Sequence, residues 1–215
     1  MIRKIGVIGA GTMGHGIAES FAMFEYNVNL YDTNAKKKKK ALNEIRAEQQ
    51  LLVEESFLTE EQATKTMENI TVHTDLQAAV NDRDYVIEAA PENMELKQNL
   101  FKQLDGYCPA HTILASNTSS LSLEPMMALI SEARRQRMMV CHWYNPGHLM
   151  PLAELSFFGN MPVDIFQQVE DLYASIHKQT VKVLKDVPGL VANRIQQGVA
   201  RGACSSCFSW SLAGS

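Results

Sequence analysis

At 215 residues, 46% of them hydrophobic, the chain is long enough for one well-buried core and part of a second domain. Its net charge of -4, from 20 Lys+Arg against 24 Asp+Glu, argues against a general nucleic-acid binder. No stretch approaches the ~18 apolar residues of a membrane span, no signal peptide precedes the first apolar run, and Cys108 and Cys141 read as reduced thiols, so a cytoplasmic protein is expected.

In chain order, strand-like runs alternate with helical ones, the pattern of an α/β fold whose mostly parallel sheet is covered by helices. Residues 4–8 predict the first strand, 12–24 a helix with Ile17, Phe21 and Phe24 on one face, and 28–31 the second strand. Helices over 35–52 and 59–69 predict a helical hairpin inserted between strands; Thr59 is the expected N-cap, with Glu60 and Glu61 in the first turn. The run Lys36 to Lys40 reads as the solvated face of the first of these helices. Strands follow at 70–73, 85–88 and 112–115, with a helix over 94–104 between the last two. Residues 138–141, 152–157 and 181–184 continue the sheet, and a helix over 163–176 separates the last pair. Val187-Pro188-Gly189 then breaks the pattern and predicts a boundary between a domain of residues 1–187 and a segment of residues 188–215. A helix begins near Val191, with Val191, Ile195 and Val199 on one apolar face. Gly198 and Gly202 each cost a helix interior about 1 kcal/mol against alanine, and from about Gly202 the amphipathic pattern is lost. Cys204 and Cys207 form a CxxC with no second ligand pair, so no metal is expected.

Two segments carry chemistry. Gly9-Ala10-Gly11-Thr12-Met13-Gly14 joins the first strand directly to the first helix. Gly9 permits a tight turn, Gly11 lets a pyrophosphate approach the backbone, and Gly14 lets helix and strand pack closely. Thr12 and Met13 open the helix, whose free N–H groups and positive dipole end suit phosphates. Asp32 ends the second strand, 21 positions after Gly11. A carboxylate there accepts hydrogen bonds from ribose hydroxyls and repels a 2′-phosphate, which predicts a doubly wound, Rossmann-type domain that prefers NAD to NADP. The second segment places His142 after a strand and Glu154 12 residues on, in the next strand-like run beyond a Pro/Gly turn. A return of that length can set a carboxylate beside an imidazole, where it fixes the tautomer and stabilises the imidazolium.

The stretches Gly9-Ala-Gly-Thr-Met-Gly-His-Gly-Ile-Ala, Val86-Ile-Glu-Ala-Ala-Pro-Glu, Ala115-Ser-Asn-Thr-Ser-Ser-Leu, His142-Trp-Tyr-Asn-Pro and Val187-Pro-Gly-Leu-Val-Ala-Asn-Arg resemble the L-3-hydroxyacyl-CoA dehydrogenase family in order and spacing, over about residues 1–197. The resemblance implies an NAD-dependent oxidoreductase of fatty acid metabolism that interconverts a 3-hydroxyacyl-CoA and its 3-ketoacyl-CoA. It implies His142 as the base and Glu154 as its partner. Ser119 would bond the substrate oxygen, Asn145 would lie beside the nicotinamide and reacting carbons, and Asn193 would close the substrate side. Glu92 and Lys97 match positions near the cofactor ribose and nicotinamide. The family's all-helical C-terminal domain forms a dimer, so a homo-oligomer is expected, yet here the pattern stops after that domain's first helix. Trp143, Tyr144, Gly147 and His148 also vary the surroundings of the His-Asn-Pro motif. Two other functions therefore stay open: an NAD-binding protein without turnover, and a dehydrogenase of a free hydroxy acid such as gulonate or carnitine. Lys36 to Lys40 offers cations for CoA phosphates, but a plain solvated helix explains the run equally well.

Overall fold

The computed structural model describes residues 2–211, with side chains to residue 204. Its strands are β1 (Lys4–Ile8), β2 (Asn27–Tyr31), β3 (Ile70–His73), β4 (Tyr85–Glu88), β5 (Ile113–Ser116), β6 (Met138–Trp143), β7 (Leu152–Ser156) and β8 (Gln179–Val183). They form one eight-stranded sheet in the order β3-β2-β1-β4-β5-β6-β7-β8, parallel except where β6 meets β7. β4, β5 and β6 are buried at every position because apolar clusters cover both faces of the sheet. That is why they read as continuous apolar runs rather than alternating ones.

The helices are α1 (Thr12–Ala22), α2 (Ala35–Glu54), α3 (Glu60–Glu68), α4 (Leu76–Val80), α5 (Met94–Tyr107), α6 (Leu123–Met126), α7 (Glu132–Arg135), α8 (Val163–Ser175) and α9 (Ala192–Ser211). α2 and α3 form the expected hairpin between β2 and β3. Thr59 caps α3 in a reciprocal box: its hydroxyl accepts from the Gln62 amide at 3.2 Å, and its own amide donates to Gln62 Oε1 at 2.9 Å. α1 stops two residues short of expectation, because the Phe24 amide turns back to the Phe21 carbonyl and Glu25 takes a left-handed φ of 64°. α4, α6 and α7 are too short to show a helical period; only caps such as Asp75, which accepts the Ala78 amide at 2.7 Å, announce them. Among the described residues no helix is long and apolar enough to cross a membrane.

Three differences from the sequence reading matter for the site. First, β6 runs on through Trp143, so His142 lies within the strand rather than after it. The parallel ladder with β5 ends at Ser116↔Val140, and the antiparallel ladder with β7 takes over at Cys141↔Leu155, His142↔Glu154 and Trp143↔Ala153. Second, Lys38 is buried and donates to the His73 carbonyl at 3.2 Å, while Lys36, Lys37, Lys39 and Lys40 stay exposed. Third, α9 continues through Gly198 and Gly202. Val191, just ahead of it, and Ile195 and Val199 within it are 39%, 64% and 69% exposed. The side chains of Cys207, Phe208 and Trp210 lie outside those described.

Alternation along β6 sends Cys141 and Trp143 to one face and His142 to the other. Trp143 packs edge-on against Phe21 and Tyr173, with centroids 5.6 and 5.4 Å away. Its indole Nε1 donates to the Tyr173 hydroxyl at 2.8 Å, so the large ring is buried with its polar atom satisfied. This apolar floor fixes the strand that carries His142.

Candidate active site

The glycine turn is shaped by backbone contact. At Gly9, with φ of 107°, a Cβ would lie 2.6 Å from the Ala89 carbonyl oxygen; at Gly14 it would lie 1.7 Å from that of Gly9. A side chain at either position would force strand and helix apart. Gly11 has nothing within 4 Å of a built Cβ and borders open space. No side chain caps α1 and no acidic residue sits in its first turn, so its N–H groups are left for an anion. A cleft of about 700 Å³ opens here, lined by Gly9, Gly11, Thr12, Met13, Asp32, Glu92, Lys97 and Asn117. Asp32 is buried and already engaged: Oδ2 accepts the Ala10 amide at 2.9 Å and Oδ1 the Asn34 amide at 2.8 Å. Glycine cradle, uncapped helix and acidic wall together fit a dinucleotide.

Lys97 and Glu92 reach this cleft as part of a network. Lys97 Nζ donates to Glu88 Oε1 at 2.5 Å and lies 3.4 Å from Glu92 Oε2. Glu88, at the end of β4, also accepts from the Ala90 amide and the Ser116 hydroxyl, each at 2.6 Å. A charge pair this deep survives only with such complete pairing. Burial favours the neutral form of Glu92, but hydrogen bonds from Thr118, Ser120 and Lys97 outweigh it and lower its pKa.

His142 Nδ1 and Glu154 Oε2 are 2.8 Å apart, both residues buried. Tyr144, on the same face of the chain two residues on, donates its hydroxyl to the same Oε2 at 2.6 Å; its ring stands edge-on to the imidazole at 4.6 Å. Glu154 Oε1 accepts the amides of Val191 and Ala192 at 2.8 and 2.9 Å, so the carboxylate that holds His142 also caps α9. Burial opposes the charged form, yet bonds from His142, Tyr144 and the two amides hold Glu154 down to about 2. For Tyr144, burial and the neighbouring carboxylate push its pKa up.

Ser119 and Asn193 line a second hollow of about 880 Å³, together with Arg194 and Arg201. The Gly189 amide donates to the Ser119 carbonyl at 3.0 Å and ties the turn before α9 to that loop. Asn145 is exposed at the end of β6 and, like His142, lines neither hollow. Three neighbours escaped the sequence reading as site residues. Glu88, Asn117 and Tyr144 all lie in the family-like stretches, but only the meeting of distant segments shows what they hold. Asn117 lines the cleft, and its Oδ1 accepts the Trp143 amide at 2.8 Å, joining the ends of β5 and β6.

A sequence model described as "3-hydroxyacyl-CoA dehydrogenase, NAD binding domain" matches residues 4–187. The chain belongs to this family. Its cofactor is NAD, as the glycine turn and Asp32 lead one to expect. Among relatives, Escherichia coli 3-hydroxyadipyl-CoA dehydrogenase is 36% identical over 90% of this chain and 40% of its own length. The 5-formyl-3-hydroxy-2-methylpyridine 4-carboxylate 5-dehydrogenase of Mesorhizobium japonicum is 31% identical over 99% of this chain and 71% of its own. The crystal structure of (S)-3-hydroxybutyryl-CoA dehydrogenase from Ralstonia eutropha superposes with a TM-score of 0.85 at 35% identity, over 91% of this chain and 68% of that one. The chain spans between 26% and 40% of the length of several of the curated relatives it matches. Peroxisomal and mitochondrial proteins are also among the matches.

Proposed function

We propose that this chain performs NAD-dependent oxidation of a 3-hydroxyacyl-CoA to the 3-ketoacyl-CoA, with His142 as acid–base and Glu154 as its partner. The observation that carries the reading is the buried His142–Glu154 pair at matched register across β6 and β7. Glu154 binds Nδ1, which leaves Nε2 to take the substrate hydroxyl proton. Bound NAD supplies the acceptor for the hydride that leaves the carbinol carbon. The imidazolium then faces a carboxylate that stays charged, and in the reverse direction it returns the proton to the carbonyl oxygen. Ser119 and Asn145 would stabilise charge on that oxygen, Asn193 would close the substrate side from the first turn of α9, and Glu92 and Lys97 would border the cofactor. Residues 1–187 form the cofactor domain and residues 188–215 the start of a helical one.

Arg194 and Arg201 in the second hollow favour a substrate bearing phosphates, as CoA does. A second reading, a free acid such as a hydroxy acid, is favoured by the Mesorhizobium relative, which is named for a pyridine carboxylate rather than a CoA thioester. The cytoplasm remains our reading of the compartment and rests on Cys108 and Cys141, free, buried thiols that burial pushes up to about 12. The deciding assay follows NADH oxidation with acetoacetyl-CoA and with free 3-keto acids. Turnover is expected with the thioester, falling by roughly 10²–10⁴-fold in His142→Gln while NADH binding holds. Preference for the free acid would replace the substrate class. Full activity in His142→Gln would remove the base, and NADH binding without turnover on any substrate would leave a binding protein.

A further inference from the structure

Away from the dinucleotide cleft, α1, α2 and the turn between β6 and β7 enclose polar side chains that the proposed reaction does not use. Glu19 comes from α1, Glu48 and Gln49 from α2, and His148 from the turn. Five buried side-chain nitrogen or oxygen atoms lack a hydrogen-bond partner among the described residues. Four of them are here: Glu19 Oε2, Glu48 Oε2, Gln49 Oε1 and His148 Nδ1. Glu19 is fully buried, and the His148 side chain is 8% exposed. Unpaired buried polar atoms are costly, so four in one place ask for a common partner. Charged carboxylate and amide oxygens accept, and so does a neutral imidazole nitrogen, so a shared cation would satisfy all four: either a metal ion or a proton, which Glu19 favours on His148 and which burial beside Glu19 favours on Glu48.

The spacing suits a metal ion. His148 Nδ1 lies 3.1 Å from Glu19 Oε2 and 3.8 Å from Glu48 Oε2, and all three ligand atoms are within 4.8 Å of one another. A tetrahedral ion with bonds of roughly 2.0–2.2 Å sets its ligands about 3.3–3.6 Å apart. The outer oxygens of both carboxylates are held from behind: Gln49 Nε2 donates to Glu19 Oε1 at 2.7 Å, and His15 Nε2 lies 3.4 Å from Glu48 Oε1. Two carboxylates and a neutral imidazole leave two negative charges for the ion to balance. We propose that Glu19, Glu48 and His148 bind one divalent transition-metal ion of the Zn²⁺ or Mn²⁺ class, with the Gln49 amide beside it. An imidazole ligand disfavours Mg²⁺, which prefers oxygen and water. The ion would be structural. His148 sits three residues after Asn145, and a Cβ on Gly147 in the same turn would lie 2.9 Å from the Gly16 carbonyl carbon. Binding would therefore clamp the turn after β6 onto the helix that opens the dinucleotide cleft.

The test uses the full chain with Cys204→Ser and Cys207→Ser, so that the CxxC takes no metal. The protein is stripped with a chelator, dialysed, and supplied in turn with Zn²⁺, Mn²⁺ or Mg²⁺. Retained metal per chain and Tm are measured. One equivalent of Zn²⁺ or Mn²⁺ and a Tm raised by several degrees are expected, with no response to Mg²⁺. Glu48→Gln and His148→Gln should each weaken binding ~10-fold or more. Glu48 is only part-buried, so its variant keeps the test sound if His148→Gln folds poorly. The proposal fails if no ion is retained and Tm does not move, since a shared proton then joins the carboxylates. It fails equally if Mg²⁺ acts like Zn²⁺ or if both variants bind unchanged.

Discussion

The Asp32 carboxylate accepts the amides of Ala10 and Asn34, so the charge on the cleft wall also ties down the glycine turn. A 2′-phosphate would meet a buried charge that cannot swing away without breaking both bonds. NADH is expected to bind at least ~10-fold tighter than NADPH, about 1.4 kcal/mol. Asp32→Ala should narrow that gap and also weaken NADH itself, because the Ala10 amide loses its acceptor. Fluorescence titration with both cofactors reads both effects; equal affinities in the unmutated chain would overturn the assignment. Asp32, Gly9, Gly11 and Gly14 were legible because their demands are local: a positive φ, a close approach, an acid at a strand's end. Glu88 was not, because its burial against Lys97 and Ser116 is created by three separate segments meeting.

At the scale of elements, Glu154 couples β7 to α9. One oxygen serves His142 and Tyr144, and the other caps the helix through Val191 and Ala192. Glu154→Gln should therefore lower turnover and loosen the first turn of α9 together. Its folded pKa of about 2 lies below the ordinary value of 4.5, so the charged form adds stability above about pH 4.5 and loses it as pH falls toward 2. The contribution is on the order of 3 kcal/mol. Urea unfolding should show wild type ahead of Glu154→Gln by that order at pH 6, with the difference closing as pH approaches 2. A gap that does not change with pH would mean the carboxylate's charge is not what stabilises the fold. Hydrogen exchange at the first turn of α9 should speed up in the variant.

For the molecule as a whole, α9 leaves Ile195 and Val199 facing solvent, with Val191 partly exposed just ahead of it. Each large apolar side chain gains about 1.5–3 kcal/mol on full burial, so this face favours association with a second copy. Sedimentation of the 215-residue chain is expected to show dimers or larger species at tens of micromolar. Ile195→Glu should shift them toward monomer without touching the sheet. A monomer at all concentrations would refute the association.

The succession of strands and longer helices along the chain, the NAD cleft and the family, but not α4, α6 and α7, were within reach of the sequence. They rest on short-range rules: apolar runs for strands buried on both faces, helical periods, glycines at a strand-to-helix turn, and an acid one strand later. The sequence also offered His142 and Glu154 as partners, but not how they meet. That depended on an antiparallel exchange between β6 and β7, which carries His142 inside the strand and sets it opposite Glu154. The cap that Glu154 places on α9, the inward turn of Lys38, and the Glu19–Glu48–His148 cluster were likewise decided only in three dimensions. Each joins residues from distant segments, and no local spacing encodes which buried polar atoms will find partners and which will be left facing one another.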